Sequence, residues 1–322
     1  MRLRLSKLLV LGVLASALLV TAASAAITVF AAGMSTPESI TPTASGLFVT
    51  DADGPIWKVP TAGGSASQVA NLSTVTWRGG LILPSTFTGV GGKFLAVGAD
   101  AAPGGAAVAY TMDTTTGVLT PYHSAQTQGV WTEAVLTPSF GSRSGDVLVT
   151  NQGGIDAVPS IPGSVDYFTP SGGVGTLATF SAFPRVIPFG AALAKASFGE
   201  VGGPSLFVSD ANGAGIYTVD TVGNIRLFTT IPLDANAGQN SLRQIAFAPK
   251  EWKKYGGDLF VTLNRGAIDV VNRDGVVVGT ISGAFNARGL LFTTISGQPT
   301  LLFSNTRNGT ILQAGPGDID PN

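Results

Sequence analysis

Short apolar runs, broken by clusters of Gly, Asn and Asp, recur along this chain. The clearest case is Ser205 to Ile231, SLFVSDANGAGIYTVDTVGNIRLFTTI, where the runs LFVS, IYTV and IRLFTTI are separated by DANGAG and DTVGN. Val, Ile, Phe, Tyr and Thr suit a pleated, half-buried surface and the Gly/Asn/Asp clusters suit tight turns, so the pattern predicts strands joined by hairpins. The same unit stands earlier as LFVTDADGPIWKVPTAGGSASQVANL, Leu47 to Leu72. It returns from Leu259 as LFVTLNRGAIDVVNRDGVVVGTI, and in shortened form from Leu301 as LLFSNTRNGTILQAG.

A strand-built repeat of about 40–50 residues cannot bury its faces alone, and stacking such units in a ring gives a β-propeller with one repeat per blade. The expected fold is all-β, with antiparallel four-stranded blades. Their first strands open at Glu38-Ser39-Ile40, Arg78-Gly79-Gly80, Glu133-Ala134-Val135, Phe189-Gly190-Ala191, Arg243-Gln244-Ile245 and Arg288-Gly289-Leu290. That gives six blades, with seven the nearest alternative. The last blade lacks an outer strand, and Ile27 to Ala31 (ITVFA) is a strand without a neighbour in sequence. The amino-terminal strand is therefore expected to complete the last blade, removing a sheet edge that would invite aggregation. Residues 26–322 form one propeller domain in this reading, ending in a Gly/Pro/Asp-rich tail at 315–322.

A second repeat lies between the first and second strands of four blades: Phe87, Phe140, Phe198 and Trp252, each followed by Gly91-Gly92, Ser144-Gly145, Gly202-Gly203 and Gly256-Gly257. The simplest reading is an aromatic plug under the loop, with glycine turning the chain into the next strand.

The first 25 residues differ in kind. Arg2, Arg4 and Lys7 precede the apolar run Leu8 to Val20, and Ala23-Ser24-Ala25 offers a small-residue cleavage site. This is the form of a secretory leader cut after Ala25, and it predicts a secreted or periplasmic protein with no membrane span after cleavage. Removing the leader takes three of the 18 basic residues and leaves 15 against 19 acidic ones, a net charge of −4. Such a surface has no basic field for nucleic acid. With no cysteine in the chain, disulfides, thiolate metal sites and a thiol nucleophile are excluded. A monomer is expected.

Candidate chemistry concentrates where the first strands begin. If strands alternate in direction, those starts surround the central channel on one face. In order they carry Glu38, Arg78, Glu133, Phe189, Arg243 and Arg288, five charges in a chain only 11% charged. Two readings stand: a ring of mutually satisfied ion pairs at a wet channel mouth, or a site for a ligand or partner. Three arginines favour an anionic group such as a carboxylate. Asp51 and Asp210, at the ends of second strands on the same face, begin DADG and DANG, fragments of a calcium loop. Asp and Asn there more simply bond the amides of the following turn, and the later bidentate Glu is missing. His123, the one histidine, follows the outer strand of the second blade in a connection leading toward Glu133. Any general acid–base role for it needs Glu133 as orienting partner.

The strand pattern, the Asp/Asn-Gly turns and the Pro188-Phe189-Gly190-Ala191 strand entry resemble the six-bladed propellers of the NHL-repeat and gluconolactonase/senescence-marker type. The resemblance is one of repeat style and spans nearly all of the mature chain. It implies a divalent metal such as calcium in the channel, held by acidic and Asn residues at the starts of inner strands. Glu38 matches such a position, and Asp51 and Asp210 are the other acidic candidates. The later matching positions hold Phe189, Arg243 and Arg288, none of which can replace an Asn or Asp ligand. Streptogramin lyases, also similar, imply a catalytic His, for which His123 is the one candidate. The expectation drawn is a secreted, non-enzymatic binding or scaffold protein without cofactor. It would hold a small anionic ligand, or a protein or cell-envelope partner, at the channel mouth through Glu38, Arg78, Glu133, Arg243 and Arg288. The alternative is a gluconolactonase-like metal-dependent hydrolase or a streptogramin-type lyase, and a third reading is a structural envelope protein.

Overall fold

The computed structural model describes residues 27–102, 105–154, 160–194, 198, 203–232 and 241–322; the leader and Gly202 lie outside them. Six antiparallel sheets follow one another along the chain as the blades of a propeller. Their innermost strands are Pro37–Thr43, Val75–Ile82, Trp131–Leu136, Pro188–Ala194, Leu242–Phe247 and Ala287–Ile295, in blades I to VI. Three further strands follow in each of blades I to V, with the chain moving outward from the channel. In blade VI the outer strand is Thr28–Ala32, which pairs antiparallel with Thr310–Ala314, so Thr28 faces Gln313 and Ala32 faces Thr310. Gly64–Ser65 of blade I adds a short parallel strand beyond it.

Near-continuous apolar runs in the second strands reflect burial on both faces. In blade V, Leu259, Val261 and Leu263 pack with Phe207 of blade IV, while Phe260 turns the other way onto Leu301 and Phe303 of blade VI. The two-residue period of a strand thus divides one run between two blade interfaces. Six apolar clusters result, one between each pair of neighbouring blades. Phe87, Phe140 and Trp252 of the aromatic repeat are buried in them, and Phe198 meets Phe207 and Phe247 edge-on.

Hydroxyl side chains stitch neighbouring blades around the channel. The Thr150 hydroxyl donates to the carbonyl of Phe189 at 2.6 Å, and that of Ser209 donates to the carbonyl of Arg243. The Ser304 hydroxyl donates to the carbonyl of Glu38 at 3.3 Å and joins blade VI to blade I. Buried hydroxyls are worth keeping in a core only when paired in this way.

Two boundaries differ from the sequence reading. The 315–322 segment is structured: Asp320–Pro321 pairs with Thr280 and Gly279, as a fifth strand on blade V. The outer strand of blade II runs from Leu119 to Gln128 and so contains His123 instead of ending before it. Pro121 is tolerated because this is a sheet edge and a bulge separates it from His123. No helix among the described residues is long and apolar enough to cross a membrane.

Candidate functional site

Every inner strand shifts register near its start, and the shifts coincide with the charged ring. Strand pairing skips Glu38 between Pro37 and Ser39, and Arg78 between Trp77 and Gly79. It skips Phe189 and Gly190 in blade IV, Arg243 and Gln244 in blade V, and Arg288 and Gly289 in blade VI. A bulge adds one residue against the partner strand and re-aims a side chain that strict alternation would send into a blade interface. In blades I, II, V and VI the bulges bring the charged side chains of Glu38, Arg78, Arg243 and Arg288 together.

In blade III the residue skipped is Thr132, between Trp131 and Glu133. Glu133 is therefore one position further along than the sequence alignment placed it. Thr132 occupies the ring position, fully buried, with its hydroxyl donating to the carbonyl of Phe189 at 2.9 Å. Aligned by register, Glu133 corresponds to Ser39, Gly79, Gly190, Gln244 and Gly289 in the other blades. Small residues dominate that layer because neighbouring backbones touch there. A Cβ on Gly190 would stand 2.5 Å from the carbonyl oxygen of Arg243 and 2.7 Å from the Cα of Gln244. With blade IV contributing only a glycine, the side chains of Glu133 and Gln244 meet across it, the Gln244 amide donating to Glu133 Oε2.

Of the residues singled out in the sequence, Glu38, Arg78, Phe189, Arg243 and Arg288 come together, with uneven pairing, and Glu133 stands apart from them in the next layer. Glu38 is 3% exposed and accepts a charge-assisted hydrogen bond from Arg78. Arg288 Nε lies 4.0 Å from the other Glu38 oxygen. Arg243 makes no ion pair within that distance among the described residues; its guanidinium stands 5.1 Å from the centre of the buried Phe189 ring, and that of Arg288 stands 5.7 Å from it. The Nε atoms of Arg243 and Arg288 are both shielded from solvent and lack a hydrogen-bond partner. Burial first, and the neighbouring Arg288 second, push the Arg243 pKa down to about 9. Burial likewise lowers that of Arg288, opposed by the Glu38 carboxylate.

Glu133 is perturbed in the opposite sense. Glu133 is half-buried at its surface, yet its depth in the protein removes most carboxylate hydration, and burial raises its pKa to about 8 against a weaker opposing bond from the Ala134 amide. At neutral pH it is therefore mostly a protonated acid. It accepts from Gln244 at Oε2 and keeps an O–H to donate.

The remaining candidates lie elsewhere. Asp51 Oδ2 accepts from the amides of Ser35 and Thr36 at 3.0 and 2.9 Å and from the Trp57 indole at 2.8 Å, and Oδ1 takes the Asp53 amide. Asp210 Oδ1 accepts from the amides of Ile187 and Asn212, each at 2.9 Å. Both close the turns that the Asx pattern predicts. His123 pairs with Ala109 in the outer strand, and its ring stacks on Phe168 at 5.0 Å. Its Nε2 has no hydrogen-bond partner and burial lowers its pKa, so it is a packed neutral imidazole without the Glu133 contact a general-base pair requires. Two surface grooves, of about 790 Å³ beside Phe285 and Asp318 and about 850 Å³ beside Phe247 and Glu251, contain none of the ring residues. Gln244 and Thr132 are the site residues the sequence reading missed. Lining up the residue after each ring position in the sequence gives Ser39, Gly79, Ala134, Gly190, Gln244 and Gly289, which singles out Gln244 but hides Glu133 behind the one-residue offset of blade III.

No family model matches this sequence, and no curated protein does. Solved structures match the fold. A gluconolactonase from Xanthomonas campestris superposes with a TM-score of 0.63 at 14% identity, over 92% of this chain and 89% of its own. A calcium-binding protein, regucalcin, from Agrobacterium tumefaciens gives 0.61 at 15% identity, over 89% and 95%. A streptogramin B lyase gives 0.52 at 13% identity, over 92% and 98%. Identity this low establishes a shared six-bladed propeller fold. The expectation of a non-enzymatic scaffold is overturned by these neighbours, which include enzymes and favour the enzymatic alternative.

The divalent metal implied by that resemblance does not fit the residues present. Glu38, the one carboxylate in the ring layer, is committed to Arg78 and Arg288, and the nearby Arg243 adds a further positive charge. Asp51 spends both oxygens on turn amides and the Trp57 indole, Asp210 spends Oδ1 on two amides, and no group of three His, Cys, Asp or Glu suited to a metal occurs among the described residues.

Proposed function

We propose that this chain is an exported hydrolase that opens an ester or lactone at the mouth of its channel, with arginines and a neutral carboxylic acid as its working groups. The observation that carries the reading is Glu133: a carboxyl kept protonated near pH 7 by burial and held by Gln244, the residue that follows Arg243 in the chain. Oppositely perturbed titratable groups converging on a channel mark catalytic sites more often than structural ones. The leader-like first 25 residues support export.

The arrangement suits acyl–oxygen cleavage. Water adds to the acyl carbon and the carbonyl π pair moves onto oxygen, where buried guanidinium groups stabilise the charge without reorganising. Collapse of that adduct breaks the acyl–oxygen bond, and the Glu133 O–H protonates the departing alkoxide. The proton lost by the attacking water restores Glu133. The products are an alcohol and a carboxylic acid, which ionises and releases one proton to solvent.

A pH-stat assay of the purified protein against a panel of sugar-derived lactones and simple esters, with EDTA present, tests the proposal. Proton release above the spontaneous rate, lost in Glu133→Gln, is expected. Absence of turnover on every ester, or turnover that requires an added divalent metal, would contradict it.

A further inference from the structure

The ring layer carries more positive charge than one hydrolytic step uses. Arg78, Arg243 and Arg288 face a single carboxylate, Glu38, which Arg78 engages directly. Asp210, the next acid near Arg243, accepts from the amides of Ile187 and Asn212 at Oδ1 and makes no hydrogen bond to the guanidinium, acting on it only through space. The ring layer thus holds three guanidinium groups against one carboxylate, an excess of positive charge that Asp210 offsets only through space. An ester hydrolysis places one negative charge on the acyl oxygen, and the Nε–H donors of both Arg243 and Arg288 are left without a hydrogen-bond acceptor among the described residues.

We propose that Arg243 and Arg288, seated over Phe189, form a carboxylate-binding subsite, so that the substrate opened here is an ester or lactone bearing a free carboxylate. This rests on the function proposed above for the same channel. Both guanidinium groups lie within about 6 Å of the Phe189 ring centre, the range in which an aromatic face holds a cation without neutralising it. Each keeps a buried Nε–H without a hydrogen bond, that of Arg288 standing 4.0 Å from the nearer Glu38 oxygen. A guanidinium edge is matched by the two oxygens of a carboxylate, which would satisfy those donors and separate two repelling charges.

The same reasoning sets the sign of the stability effect. Arg243 is strained by its surroundings in the free protein, so Arg243→Gln should leave the fold intact and raise the midpoint of thermal unfolding. An arginine kept for packing or a structural ion pair would show the reverse. The experiment is calorimetric titration of the purified protein, at low salt, with sodium succinate, acetate and inorganic phosphate, alongside thermal unfolding of wild type, Arg243→Gln and Arg288→Gln. Expected are saturable succinate and acetate binding, weakening by at least tenfold in either variant, and a higher unfolding midpoint for Arg243→Gln. A lower midpoint with unchanged binding, or binding of phosphate without carboxylates, would overturn the proposal. Carboxylate binding without ester turnover leaves the subsite standing and removes the hydrolase. Turnover of neutral lactones with no carboxylate binding does the opposite.

Discussion

Replacing Glu133 by Gln removes one titrating group while preserving shape and the bond to Gln244, so its effect is legible as a change in pH dependence. In the unfolded chain this carboxyl loses its proton near 4.5, and in the channel near 8. Between those values the folded protein holds a proton that the unfolded chain has released. Folding then takes up a proton, and stability falls as pH rises, by about 1.4 kcal/mol per pH unit. The contribution is complete below 4.5, is lost progressively, and stops changing above about 8, where both states are ionised. Across the window the loss is on the order of 5 kcal/mol, a large share of the ~5–15 kcal/mol that holds a domain folded. Urea unfolding of wild type and Glu133→Gln from about pH 5 to about pH 9 isolates it, because all other groups cancel in the difference. Wild type should lose several kcal/mol relative to the variant over that range. Parallel stability curves would refute a neutral Glu133 and, with it, the acid role.

Gly190→Ala should cost about 1–3 kcal/mol by overpacking, because the new methyl meets the backbone of Arg243 and Gln244 and not a movable side-chain tip. Urea midpoints measure it, and the pH-linked difference at Glu133 should shrink along with it. Asp51→Ala should destabilise by roughly 1–3 kcal/mol, since the amides of Ser35 and Thr36 and the Trp57 indole lose their acceptor. The loss should be the same with calcium or EDTA; a calcium-dependent loss would restore Asp51 as a ligand.

Much of the architecture was legible because its causes are local. Hairpin turns such as DANG and DTVGN, and apolar runs with no polar face, state where blade strands begin and end. The Phe87, Phe140 and Trp252 repeat declared a packing role that burial bears out. Register was less accessible. That Thr132 and not Glu133 fills the ring position depends on where a bulge falls, which follows from the Glu133–Thr150 pairing and from hydroxyl bonds to Phe189 of the next blade. One residue of offset separates an ion-pair partner from a neutral acid. The meeting of Glu133 and Gln244 spans 111 residues and depends on the missing side chain of Gly190, a three-body relation that no local pattern encodes. His123 was misplaced for a simpler reason: Pro121 looks like a strand end, yet an edge strand has no inward ladder to lose at that position.

The pH dependence of kcat/KM for the best lactone found, in wild type and Glu133→Gln, tests the account most directly. A general acid of the free enzyme should give a wild-type rate that falls as pH rises through about 8. The variant should be slower by ~10²–10⁴-fold and lack that limb. The same descending limb in both proteins would place the acid elsewhere and contradict the central role given to Glu133.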